Sequence, residues 1–203
     1  WSSDVCSSDL AKKILEILNR AKAGDDFQLQ FTRLFAALAD YDQIKELKEI
    51  LSGKLNGLVL DLDMRWLLTN SIAERGGFTK ADLDAELAKD NSLSAQLSHA
   101  LGLAALPEVE AKKIAWHKIT KEEMTSAFRE KTLQGFMRTT QRELLATWVE
   151  PYFDNLLEMW GKKSYDISSS YVELCYPSLQ ISQALVDKTN NWLAKEEIGR
   201  AHV

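Results

Sequence analysis

The residues able to do chemistry are few. His99 and His117 are the only histidines ahead of the last six residues. A helical peptidase-type zinc site needs two histidines one turn apart with a glutamate beside the first, because imidazoles at i and i+4 converge on one metal. His99 is followed by Ala-Leu-Gly-Leu and His117 by Lys-Ile-Thr-Lys, so neither has such a partner. Both are expected to be surface or part-buried helical histidines, with no metal ligand among them. Ser168-Ser169-Ser170 supplies hydroxyls without a G-x-S-x-G elbow or a strand to carry one. Cys175, between Leu174 and Tyr176, has no neighbouring histidine or cationic cluster to lower its pKa, and reads as a buried small hydrophobe. Gly76-Gly77 lacks the lysine and hydroxyl residue that complete a phosphate loop. No catalytic residue, metal ligand or cofactor is expected in this chain.

The most pointed cluster is Asp61-Leu62-Asp63-Met64-Arg65-Trp66. Asp63 is placed to cap the helix that follows. Asp61 and Arg65 lie four apart, the spacing of an intrahelical ion pair. The competing role for Arg65 is a two-pronged hydrogen bond to a substrate carboxylate. Asp61, Asp63 and Arg65 are therefore the candidate site residues, binding or structural. Trp66, Trp116, Trp148, Trp160 and Trp192 fall at helical spacing and are expected to fill the space between helices.

Helices must position all of these. Ile14, Leu15, Leu18 and Ala21 form one 3.6-period stripe, and Phe27, Phe31, Leu34, Phe35 and Leu38 the next. Ile44, Leu47, Ile50 and Leu51 follow, closed by Gly53; a helix led by Trp66 closes at Gly76. Thr79 and Asp82 make an N-terminal cap, and Leu97, Leu101 and Ala104 mark a helix ending before Pro107. Pro107 is expected in the first turn of a helix carrying Val109, Ile114 and Ile119. Thr120-Lys-Glu-Glu123 has the capping-box pattern, and Leu144–Trp160 is expected to bend or divide at Pro151. Two further helices are expected near Tyr165–Cys175 and Ile181–Ala194. GLVLDLD alternates but runs straight into a helix, so strand signals are nearly absent. The expected fold is all-α, with antiparallel helical hairpins of about 40 residues stacked like HEAT or armadillo repeats.

Both chain ends read differently. Trp1–Leu10 (WSSDVCSSDL) and Ile198–Val203 (IGRAHV) match translations of one sequencing-library adapter in opposite orientations. The native domain is therefore expected to be residues 11–197, a fragment of a larger protein, with 1–10 and 198–203 adapter-derived. The formal net charge is −5, and setting aside Asp4, Asp9 and Arg200 with the ends leaves −4. A mild acidic excess without a basic run argues against nucleic acid. Cys6 leaves with the adapter, so no disulfide framework can be built. No apolar run approaches the roughly 20 residues of a membrane span.

An ordered set of segments carries a resemblance. LFAALAD (34–40), GLVLDLDMRWLL (57–68) and DLDAELAKD (82–90) are similar to consecutive pieces of the helical C-terminal domain of aminopeptidase N-like zinc peptidases. EAKKIAW (110–116), LQGF (133–136), QRELLATWVEPYFDNLLEMW (141–160) and SLQISQALVDKTNNWLA (178–194) continue it in the same order. The likeness is greatest to the bacterial, actinobacterial-like branch and extends to the endoplasmic-reticulum-aminopeptidase type. It implies stacked helical hairpins closing a bowl over a separate catalytic domain, which holds the zinc and lies upstream in the parent chain. It implies peptide substrates reached through that parent and a cytoplasmic bacterial setting; no substrate-contacting residue of the family is matched to a position here, and Asp61, Asp63 and Arg65 stand as candidates for either a chamber-lining or a structural role. None of the family's catalytic motifs has a counterpart here, so no catalytic residue is carried over. The alternative is a stand-alone helical-repeat scaffold that binds another protein.

Overall fold

The computed structural model describes residues 3–195 and is all-helical, without a strand among those residues. The expected adapter residues 198–203, like Trp1 and Ser2, lie outside them. The first four hairpins are α1 (Ser3–Arg20) with α2 (Asp26–Leu38), α3 (Ile44–Leu51) with α4 (Leu62–Glu74), α5 (Lys80–Leu87) with α6 (Leu93–Ala105), and α7 (Val109–Lys121) with α8 (Ser126–Phe136). A short α9 (Arg142–Leu145) leads through a 3-10 turn to α10 (Val149–Lys162), α11 (Tyr165–Leu174) and α12 (Gln183–Lys195). Each even-numbered helix of the first four hairpins packs on the next, α2 on α4, α4 on α6 and α6 on α8, and α8 then meets α11. The odd helices α1, α3, α5 and α7 cover them as a second layer. This is the solenoid-like arrangement expected of short helices joined by short turns.

Most helix ends obey local chemistry. Gly53 and Gly76 have positive φ just past α3 and α4. At each, the next amide reaches back to the first helix's last turn, Lys54 N to Glu49 O and Gly77 N to Ile72 O, as a Schellman motif requires. Thr79 and Asp82 form the expected capping box of α5. Three expectations fail. Thr120 ends α7 rather than opening a helix: its hydroxyl donates to Trp116 O, and Thr125 caps α8 instead. Pro107 precedes α7, whose N-cap is Glu108. The long aromatic segment divides at residues 146–148, ahead of Pro151, which sits in the first turn of α10 where its missing N–H costs nothing.

Helix rotation is the larger correction. α2 buries Gln28, Thr32, Phe35 and Ala36, leaving Phe27 66% and Leu34 43% exposed. α7 buries Lys112, Ala115 and Ile119, leaving Val109 and Ile114 more than half exposed. Within α1 the helix runs unbroken through the expected boundary at residue 10, with Leu10 exposed and Ala11 fully buried.

Three apolar clusters form the core. Ile14, Leu18, Phe35, Leu47, Leu68 and Ile72 join the first two hairpins. Trp66, Ala73, Leu83, Ala95 and Leu106 join α4 to α5 and α6. Leu133, Phe136, Tyr152, Tyr171, Cys175 and Leu185 belong to the last and largest. There Trp116 meets Phe136 at 5.5 Å, Trp148 at 5.1 Å and Tyr171 at 5.9 Å between ring centroids. Tyr171 stacks on Tyr152, and burial raises the pKa of both phenols. Trp66, Trp116 and Trp148 are thus inter-helix packing, as expected, whereas Trp160 is half exposed.

Candidate groove and the buried polar seam beneath it

The even helices run parallel, so their C-terminal carbonyls gather along one edge. The last carbonyls of a helix have no intrahelical donor, and burying them bare costs about 1–3 kcal/mol each. Side chains from elsewhere in the stack meet this demand. Arg75, the C-cap of α4, donates to Ala39 O at 2.6 Å and Ala37 O at 3.4 Å, and Ser71 on α4 donates to Ala36 O at 2.6 Å, finishing α2. Gln141 donates to Glu74 O at 2.8 Å and Ala105 O at 2.6 Å, finishing α4 and α6. Arg129 reaches back to Ile119 O and Glu122 O at the end of α7. Lys112, with no exposed surface, places its ammonium 2.6 Å from Ala104 O, 3.1 Å from Phe136 O and 3.3 Å from Gly135 O.

The charges along this seam are closely spaced. Glu74, 3% exposed, is held by Arg138 and lies 3.3 Å from both Arg75 and the Thr140 hydroxyl. Burial depresses Arg75, with Glu74 opposing that. Burial is also the main force on Lys112; Arg138 adds to it, Glu74 opposes it, and the ammonium is pushed down to about 7.

Over the seam lies an open groove. Between α5 and α7 the outer layer parts, exposing a face of α6 as the floor of a cavity of about 720 Å³. Ala100, Leu103, Ala111, Ile114 and Phe128 make its apolar lining, with Lys80, His99, Lys118 and Glu122 among the polar groups at its rims. His99 is fixed at one rim: Nε2 lies 2.8 Å from Asp84, and its ring meets Trp66 edge-on at 6.3 Å. Asp84 is also bonded by Lys80, which with His99 holds its carboxyl below the usual range. The groove offers shape, apolar surface and rim charges, which suit binding.

The predicted site residues all sit at the start of α4, in different roles from those expected. Asp61, not Asp63, caps α4, accepting from Met64 N at 2.8 Å; Asp63 is an exposed first-turn acid. Arg65 does not pair with Asp61. Its guanidinium grips Glu86 on α5 with two bonds, at 2.7 and 3.0 Å, and Lys89 binds the same carboxylate. Burial raises the Glu86 pKa, but the bonds and charges of Lys89 and Arg65 outweigh it, and the net shift is downward. With both prongs engaged, Arg65 ties α4 to α5. None of the three lines the groove. His117 is exposed on α7. Cys175 is buried as expected, and desolvation pushes its thiol well above the ordinary range.

The residues present do not fit zinc. Among the described residues no three His, Cys, Asp or Glu side chains cluster closely enough to hold a metal ion. The Asp84–His99 pair is already committed to Lys80 and Trp66. No helix among those residues is long and apolar enough to cross a membrane.

The chain matches the ERAP1-like C-terminal domain family over residues 6–202. An aminopeptidase N of Streptomyces lividans is 34% identical over 184 residues, which cover 89% of this chain and 22% of that protein. The all-helical hairpin stack, the sequence identity and the near-complete match agree: the chain belongs to the ERAP1-like C-terminal domain family, as that domain of an aminopeptidase N-like protein.

Proposed function

We propose that this domain walls the active-site chamber of a zinc aminopeptidase and limits which peptides reach it. The observation that carries the reading is the 34% identity to an aminopeptidase N across 89% of this chain. The parent removes N-terminal residues from peptides with zinc held by its upstream catalytic domain, in the bacterial cytoplasm. This chain's own contribution is a wall stiffened by its carbonyl seam. A stiff wall excludes by size, and excluding bulk water strengthens the electrostatics of a neighbouring zinc site. The groove between α5 and α7 gives the wall a surface on which an apolar peptide side chain can rest.

The test is a chimera in which this chain replaces the matched segment of the Streptomyces lividans protein. Hydrolysis of amino-acid arylamides reports an intact catalytic centre. The ratio of rates on short and long peptides reports the wall. The chimera should retain arylamide hydrolysis and shift the length ratio, and Ile114→Trp in the groove should shift it again. A length ratio unchanged in the chimera, in the groove variant and in a protein lacking the segment would refute the gating role.

A further inference from the structure

Lys112 joins two helices through one atom. Its Nζ contacts Ala104 O at the end of α6, and Gly135 O and Phe136 O at the end of α8, at 2.6, 3.3 and 3.1 Å. An ammonium has three N–H donors, one for each of these carbonyls, whereas the neutral amine has two donors and a lone pair. Removing one proton therefore turns a carbonyl from a partner into a lone-pair opponent. The longest contact, to Gly135 O, is the one to lose. Ala104 lines the groove, as do Phe128 and Thr132 earlier on α8, so Lys112 ties together two helices that both contribute to the candidate binding surface.

We propose that Lys112 is a proton-operated clamp: protonated, it holds the ends of α6 and α8 with three bonds, and deprotonated, it keeps one bond to each helix and gives up the one to Gly135 O, slackening its hold on α8 and letting the groove floor relax.

The surroundings set where this exchange falls. Glu74 from α4 favours the charge and Arg138 from the segment after α8 opposes it, while α6 and α8 present carbonyls and the Phe136 ring, 5.6 Å from Nζ. Burial dominates and brings the two states into balance at about 7. The folded value lies below the ordinary 10.5, so folding favours the deprotonated form across that window. The domain as a whole then gains stability as pH rises from about 7 towards 10.5, while the end of α8 loosens. Simple alkaline unfolding would move both in the same direction.

The experiment is NMR on the intact chain with 13Cε-labelled lysine and methyl-labelled alanine and isoleucine, titrated from pH 5.5 to 10.5. Lys112 should titrate more than about two units below the other lysines. The Ala104 and Ile114 methyl shifts should move with the same midpoint. In Lys112→Gln, which is neutral throughout, those methyl shifts should stay fixed across that midpoint. Should that variant fail to fold, the wild-type titration decides alone. Lys112 titrating with the surface lysines, or groove methyls that ignore its midpoint, overturns the clamp.

Discussion

Gly135 on α8 packs directly against the backbone of α6, and Gly135→Ala should show how much the stack depends on that approach. A Cβ at this position would stand 2.1 Å from Leu101 O, 2.9 Å from Leu101 C and 3.0 Å from the Ala104 Cβ. The first two are backbone atoms in the middle of a packed helix, so no rotamer change relieves the clash. The helices must part by about 1 Å to restore ordinary contact. Overpacking of this kind costs about 1–3 kcal/mol. Parting also stretches the Lys112 bonds that bridge the same two helices, at about 1 kcal/mol each. Alanine returns roughly 1 kcal/mol of helix propensity. The net is a loss of about 3 kcal/mol, or a fall in Tm of roughly 6–12 °C for a domain of this size. Gly161 on α10 is the control, because a Cβ there meets nothing within 4 Å. Gly161→Ala should leave stability unchanged or raise it by up to about 1 kcal/mol. Urea unfolding followed by far-ultraviolet circular dichroism measures both. A Gly135→Ala protein within about 0.5 kcal/mol of wild type would mean that α6 and α8 are not in the close contact described.

Three other outcomes are expected. With Cys6 replaced by serine, Cys175 should react with a thiol reagent only as fast as the protein unfolds, since burial raises its pKa; prompt labelling of the native protein would contradict that burial. Arg65→Met should cost about 1 kcal/mol near neutral pH. It should also move acid unfolding to higher pH, because the depressed Glu86 pKa contributes stability above its ordinary 4.5 that is lost as pH falls through the folded value; an unchanged acid limb would argue against the Arg65–Glu86 pair. Removing residues 1–10 and 198–203 should change stability by less than about 1 kcal/mol if those ends are adapter-derived, and a larger loss in thermal melts would assign them to the fold.

The sequence made the helices legible and misjudged which faces they bury. Stops at Gly53 and Gly76 and the Thr79–Asp82 box follow from backbone chemistry within a few residues, so they can be read locally. The buried faces of α2 and α7 differ from their apolar stripes because a hydrophobic stripe counts apolar side chains, whereas two core positions are held by Gln28 and Lys112. These polar groups are inside because each meets bare carbonyls: Gln28 reaches Asn56 O at 2.8 Å, and Lys112 the ends of α6 and α8. A signal was present. Lys112, Ala115 and Ile119 fall at i, i+3 and i+7, and reading the lysine as a core member would have set the rotation of α7. Arg65 offered no such signal, because its partner Glu86 is 21 residues away on another helix. The groove likewise depends on a gap between α5 and α7, which no segment encodes alone.

The carbonyl seam bears on how such a stack can change over evolutionary time. In an idealised repeat array each unit finishes itself, so units can be added or dropped singly. Here α2 is completed by Arg75 of the next hairpin, and α4 and α6 by Gln141, which lies beyond the end of α8. Excising the hairpin of α7 and α8 would strip Lys112 from α6, and losing the stretch around residue 141 would strand two helices at once. Length is thus inherited as a block. Lineages of this domain should vary at the outer faces of α5 and α7 far more readily than in the number of hairpins between them.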